Sequence, residues 1–156
     1  MELRFEPATL WEVEEMIEVH NLAFARDREE HGFSPGYGHT PQTMAGLILT
    51  CQSYFIREKD RTIGALLYRQ TGEDALCLES LCVIPSYQGK GVGHQAMQYL
   101  EQLHSRTSCW TLTTPAEAKD NQEFYRRQGF SVTGEWEDEG RRLVQMDRIP
   151  GQSADR

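Results

Sequence analysis

The chain has no apolar run approaching the length of a membrane span, and charges interrupt its opening residues, Met1-Glu2-Leu3-Arg4-Phe5-Glu6, from the start. The first lack argues against a membrane partner and the second against a secretion leader, so a cytoplasmic location is expected. Cysteine is sparse: Cys51, Cys77, Cys82 and Cys109 show no Cys-x-x-Cys spacing, and each lies in an apolar or strand-like context. They read as reduced, buried thiols, with no disulfide framework and no metal site. Positive charge is in deficit, since 16 Lys and Arg face 24 Asp and Glu for a formal net charge of −8. No basic stripe is left to replace counterions, which argues against nucleic acid. A cationic small molecule or an amine is compatible with that balance. There is no internal repeat and no low-complexity segment. What remains is 156 residues, 38% of them hydrophobic, which suits one α/β domain over 1–150 followed by a polar tail over 151–156.

One stretch organises the rest. Leu76-Cys77-Leu78-Glu79-Ser80-Leu81-Cys82-Val83-Ile84-Pro85 is an apolar run that reads as a strand buried on both faces, stopped by Pro85. Ser86-Tyr87-Gln88-Gly89-Lys90-Gly91-Val92-Gly93 follows as a tight loop, and from His94 the residues Ala96, Met97, Leu100 and Leu103 recur at helical spacing. Strand, glycine loop and helix in that order aim free backbone N–H groups and the helix dipole at one point. Such a point binds phosphate. A P-loop is excluded, because Gly89-Lys90 is followed by Gly91 and lacks the upstream glycine. A dinucleotide fingerprint is excluded too, because no strand ending in an acidic ribose ligand follows at the required distance.

Along the rest of the chain, Glu2–Glu6 alternates as a strand closed by Pro7. Thr9 and Glu12 form a capping-box pattern ahead of an amphipathic helix running to about Phe24, with Leu10, Val13, Met16, Ile17 and His20 on one face. His20 reads as a partly buried structural residue. Arg26–Thr40 has no periodicity and is predicted to be a long loop, either a lid over an acceptor pocket or a mobile surface segment. His31 and His39 within it are candidates to line such a pocket or plain surface residues. Thr40-Pro41 opens a second helix carrying Met44, Leu47 and Ile48. Strands are predicted over Ser53–Arg57, Thr62–Tyr68 and Ser108–Thr114, and the last should run parallel to the central strand because a helical crossover precedes it. Asp120 to Glu123 reads as an N-cap with its capping box, and Gly129 as an αL C-cap. Phe130–Trp136 and Arg142–Ile149 complete a hairpin around Glu137–Gly140.

Gln88-x-x-Gly91-x-Gly93 after Val83-x-Pro85, together with Tyr125 four residues before Gly129-Phe130, resembles the two signatures of the GNAT superfamily of N-acetyltransferases. The predicted order β-α-α-β-β-β-α-β-α-β-β resembles the GNAT fold over essentially the whole chain. That is a mixed α+β sheet whose central strand splays from the next parallel strand.

The resemblance implies acetyl-CoA as co-substrate, no metal, and a small-molecule or peptide amine as acceptor. A homodimer is a family habit. The backbone of Leu81, Cys82 and Val83 would hold the pantetheine arm, and Gln88, Gly89, Lys90, Gly91, Val92, Gly93 and His94 would cradle the pyrophosphate. Phe124 and Asn121 fall among the cofactor-binding positions. Many relatives place that Asn seven residues before the Tyr, where this chain has Ala118, so Asn121 is open to a capping role instead. Glu79 is the candidate base for the acceptor amine; the alternatives are that it only binds the ammonium or pairs with an Arg. A carboxylate on an apolar strand is costly unless solvated, hydrogen-bonded or used. Tyr125 is the candidate acid for the leaving thiolate, against a plain packing role. Cys82 is discounted as a nucleophile, since direct attack by the amine fits the family better. A non-catalytic acyl-CoA-binding module is the rival reading.

Overall fold

The computed structural model describes residues 1–149, and the tail expected over 151–156 lies outside them. The elements are β1 (Arg4–Pro7), α1 (Val13–His31), α2 (Pro41–Thr50), β2 (Gln52–Glu58), β3 (Arg61–Gly72), β4 (Ala75–Val83), α3 (Val92–Leu103), β5 (Cys109–Pro115), α4 (Lys119–Arg127), β6 (Ser131–Asp138) and β7 (Arg141–Arg148). Their order is the one the sequence predicts. The seven strands follow the order β1-β2-β3-β4-β5-β7-β6 in a mixed sheet. β4 and β5 are parallel, with Ala75–Leu78 set against Cys109–Leu112. No helix among the described residues is long and apolar enough to cross a membrane.

Two compact units make up the chain: Met1–Arg69 with Glu79–Ala96, and Gln70–Leu78 with the chain from Met97 on. In the first, α1 buries Met16, Val19, His20 and Ala23, and α2 buries Met44 and Ile48. Phe55, Ile56, Ile63, Leu66 and Leu67 of β2 and β3 have no exposed surface. Leu10, expected on the apolar face of α1, is instead 48% exposed, because the chain enters that helix through a short 3-10 turn. There the Glu12 carboxylate accepts from the Thr9 amide at 2.9 Å and the Thr9 hydroxyl at 3.0 Å. Arg57 on β2 reaches Glu6 on β1 at 2.7 Å, Glu15 on α1 at 2.8 Å, and the Thr62 hydroxyl on β3. One guanidinium thus ties four elements.

The first helix is longer than its apolar stripe suggests. It runs to His31 and ends at Gly32, which has φ of 72° and donates to the Arg28 carbonyl. Its last turns are good helix formers that face solvent, with Arg26 paired to Glu30 at 2.8 Å, so apolar periodicity could not reveal them. The expected loop over 26–40 therefore shrinks to 32–40. It is fastened to α1: the Gly38 amide donates to Asn21 Oδ1 at 2.9 Å, and Arg28 lies 5.0 Å from the Tyr37 ring. A Cβ at Gly36 would stand 2.3 Å from the Phe24 ring, so any larger residue there requires the ring to shift.

β3 comes equally close to β4. A Cβ on Gly64 would meet the Cys82 carbonyl oxygen at 2.3 Å, and the Ile84 amide donates to Ile63 O at 2.9 Å.

In the second unit Leu76, Leu78, Met97, Leu100, Trp110, Leu112, Phe130, Val144 and Met146 are buried. β7 pairs antiparallel with β5 and with β6. The β6–β7 turn is the pair Glu139 and Gly140, both left-handed with φ of 51° and 78°, as a two-residue hairpin of this twist requires. Trp110 is 3% exposed, with the Arg148 guanidinium 5.6 Å from its ring. Trp11 of the first unit, by contrast, is 97% exposed.

Candidate functional site

β4 leads through a single 3-10 turn, Pro85–Tyr87, into the glycine loop. Gly89 and Gly91 have φ of 75° and 84°, and nothing lies within 4 Å of where their Cβ atoms would be. Both glycines are therefore required by backbone conformation, and the space beside them is open. Gly93 falls in the first turn of α3, outside the loop proper. The first α3 amide bonded back along the chain is that of Gln95, which donates to Gly91 O at 3.0 Å. The amides of Val92 and Gly93 precede it, where a helix offers no acceptor of its own and the dipole is positive.

Two side chains brace this loop. Gln88 turns back and donates its amide to the Val83 carbonyl at 2.9 Å, so its side chain serves the turn, leaving only its main chain to face a ligand. Tyr87 donates its phenol to Glu58 at 2.7 Å, pinning the loop to the end of β2. Lys90 and His94 are both exposed.

The strand candidates divide by which edge they face. The Cys82 carbonyl and the Ile84 amide point to β3, so in an extended strand the main-chain groups of Leu81 and Val83 point to the other edge. This narrows the predicted trio: Leu81 and Val83 supply the outward groups and Cys82 does not. The Cys82 thiol is buried, with its pKa pushed up to about 12 by desolvation, against an opposing hydrogen bond from the Ala65 backbone N–H. It is no nucleophile at neutral pH.

Glu79 is not the buried carboxylate the apolar run suggests. Its side chain keeps 28% exposure and its Oε1 sits 2.5 Å from Arg69 Nε. Ser80, next along, turns towards α1, where its hydroxyl lies 2.8 Å from His20 Nε2. His20 Nδ1 stands 2.8 Å from the Met16 carbonyl, which can only accept, so Nδ1 carries the proton and Nε2 accepts from Ser80. Burial, opposed by the Met16 carbonyl and aided by the positive charge of His39, lowers the His20 pKa to about 4. His39 is half-buried, bonded to the Thr43 hydroxyl at 3.0 Å, with its ring edge-on to His20 at 6.4 Å. His31 is exposed at the end of α1.

That buried imidazole carries a stability prediction. Unfolded His20 takes up a proton near pH 6.5 and folded His20 only near pH 4, so acid favours the unfolded chain across that window. Its contribution to stability is present above about pH 6.5 and fades as pH falls towards 4. Denaturant titrations at pH 7 and pH 5 should show His20→Gln losing about 2 kcal/mol less over that interval than wild type. Parallel losses in the two proteins would refute the assignment.

The second unit holds the remaining candidates. α4 begins at Lys119 after Ala118, earlier than predicted, so Asn121 is inside the helix and caps nothing. The Gln122 side chain, missed by sequence reasoning, is buried and donates to the carbonyls of Pro115 at 3.1 Å and Ala116 at 3.0 Å. Tyr125 is 8% exposed and stacks edge-on between Phe124 at 5.0 Å and Phe130 at 5.6 Å. Gly129, with φ of 98°, ends the helix as expected.

Residues 50–132 match the family model described as an acetyltransferase (GNAT) domain. No curated protein sequence matches the chain. Among solved structures, an acetyltransferase from Thermus thermophilus superposes with a TM-score of 0.78 at 16% identity, covering 96% of this chain and 97% of that one. The PaiA N-acetyltransferase of Thermoplasma acidophilum, solved in complex with coenzyme A, gives 0.78 at 15% identity over 96% of this chain and 99% of its own. The ribosomal-protein-S18-alanine N-acetyltransferase of Escherichia coli gives 0.75 at 13% identity over 95% and 94%. At such identities the likeness establishes the shared fold.

Proposed function

The chain belongs to the GNAT acetyltransferase family, and from that premise we propose that it transfers an acetyl group from acetyl-CoA to a primary amine by direct attack. The observation that carries this reading is the glycine turn. Gly89 and Gly91 hold left-handed angles beside open space, between the end of β4 and the orphan amides of α3. Those amides and the dipole of α3 suit a diphosphate, and the outward main-chain groups of Leu81 with the outward amide of Val83, whose carbonyl accepts from Gln88, suit a pantetheine arm. When bound, acetyl-CoA supplies an activated acetyl thioester.

A lysine-like amine, with a pKa of about 10.4, arrives protonated and must lose that proton before it attacks. Glu79 is the group assigned to receive it, directly or through water. Tyr125 is assigned to protonate the departing thiolate. The acceptor is chosen by segments that match no motif, α1, α2 and the 32–40 loop of the first unit among them, and its class ranges from small amines to peptide termini. A non-catalytic acyl-CoA-binding module would keep the same cradle. The Glu79–Arg69 pair favours that second reading, because it occupies the carboxylate that the enzyme needs.

Calorimetry with coenzyme A and a panel of primary amines incubated with acetyl-CoA, read by thiol release, separate the two. Heat of binding together with thiol release on at least one amine is expected. Heat without release on any amine supports the binding module, and no heat at all removes both.

A further inference from the structure

Resting on the acetyl-CoA reading above, we infer that Arg61 and Lys90 form a subsite for a phosphomonoester dianion, the 3′-phosphate on the ribose of coenzyme A. Arg61 opens β3 and Lys90 sits in the glycine loop, 29 positions apart in sequence, yet both converge on the ring of Tyr87. The Arg61 guanidinium carbon lies 5.5 Å from the ring centroid and the Lys90 ammonium 5.3 Å. The ring is fixed, because its hydroxyl is held by Glu58 at 2.7 Å.

Among the described residues at least eight arginines stand within ion-pair distance of a carboxylate, in a protein of net charge −8 with acid to spare. Arg61 and Lys90 have no carboxylate partner among the described residues. Arg28, Lys59, Arg106 and Lys119 likewise have no carboxylate partner among them, so what sets this pair apart is the ring they share. Glu58 faces Arg61 in the β2–β3 ladder and gives its oxygen to the phenol without closing an ion pair. Two cations gathered at one ring gain a little from its negative face and repel each other. An anion between them reverses that balance.

The chemistry of the ligand fits the remaining need. A diphosphate is satisfied by main-chain amides at the helix start, whereas a phosphomonoester, with more charge on one phosphorus, calls for cationic side chains. Coenzyme A carries both groups. The sequence places Lys90 in the loop but gives no sign of Arg61, whose partner ring is 26 residues away.

The test compares coenzyme A with 3′-dephospho-coenzyme A, which keeps the diphosphate and loses only the monoester. Dissociation constants for both are measured by calorimetry on wild type, Arg61→Gln and Lys90→Gln. Each variant should bind coenzyme A about fivefold more weakly, as expected for an exposed charge pair, and bind the dephospho compound as wild type does. Equal weakening towards both ligands would mean the cations serve the diphosphate or the shape of the loop, and would overturn the proposal. So would a wild-type protein that does not distinguish the two ligands. Binding of the dephospho compound tests the glycine cradle separately, and no heat with either ligand removes the acetyl-CoA reading and this subsite with it.

Discussion

Replacing Tyr125 with phenylalanine should lower the rate of amine acetylation about a hundredfold, the lower end of what a positioned proton donor contributes, while leaving coenzyme A affinity within about a factor of two. That loss corresponds to about 2.7 kcal/mol of transition-state stabilisation. The replacement removes one oxygen from a side chain set between two aromatic rings, so the packing of α4 against Phe130 survives it. Glu79→Gln should also cut turnover by at least about tenfold, with the amine's KM moved less than kcat. A Gln keeps the size of the side chain and can still hydrogen-bond, but it cannot take a proton. Rates for both variants across a pH series decide the roles: unchanged turnover in either one removes that residue from the chemistry. A rise in the amine's KM alone for Glu79→Gln would make Glu79 an ammonium-binding group.

A larger effect on stability is expected at Gly64. An alanine there would place its Cβ 2.3 Å from the Cys82 carbonyl oxygen and 3.3 Å from Ile56 Cδ1. The first neighbour is backbone and cannot swing aside, so β3 and β4 must part. The cost should reach at least about 3 kcal/mol, the upper end for overpacking, and lower the melting temperature by roughly 6–12 °C for a chain of this size. Gly46 supplies the opposite case within one protein. It sits inside α2 with nothing within 4 Å of a Cβ, so Gly46→Ala should gain about 0.5–1 kcal/mol from helix propensity. Thermal unfolding of the two variants side by side checks both signs, and a neutral Gly64→Ala would show that the strands yield.

The parts of this protein that were legible in its sequence are those encoded by local chemistry. The β4–loop–α3 passage could be read because Pro85 breaks a strand, Gly89 and Gly91 supply left-handed turns, and Ala96, Met97 and Leu100 recur at helical spacing. Thr40-Pro41 and Gly129 marked helix ends for the same kind of reason. What stayed hidden depends on tertiary approach. Glu79 looked buried because its neighbours are apolar, but its partner Arg69 sits across the β3–β4 hairpin, a pairing that needs the register to be known. Ser80 and His20 are sixty positions apart and share no pattern. The end of α1 was missed because its final turns are polar throughout, and amphipathic periodicity cannot be seen where no face is buried.

The placement of the indoles has a practical corollary for optical spectroscopy. Trp11 is already bathed in solvent at 97% exposure, so its emission is red-shifted in the native protein and changes little on denaturation. Trp110, at 3%, is the chromophore whose environment alters most, and it belongs to the second unit. Trp136 on β6 is already 41% exposed, so intrinsic emission during urea titration follows chiefly the loss of order around β5. Events confined to the glycine loop or α1 call for an added reporter, such as a fluorinated tyrosine at Tyr87 read by nuclear resonance.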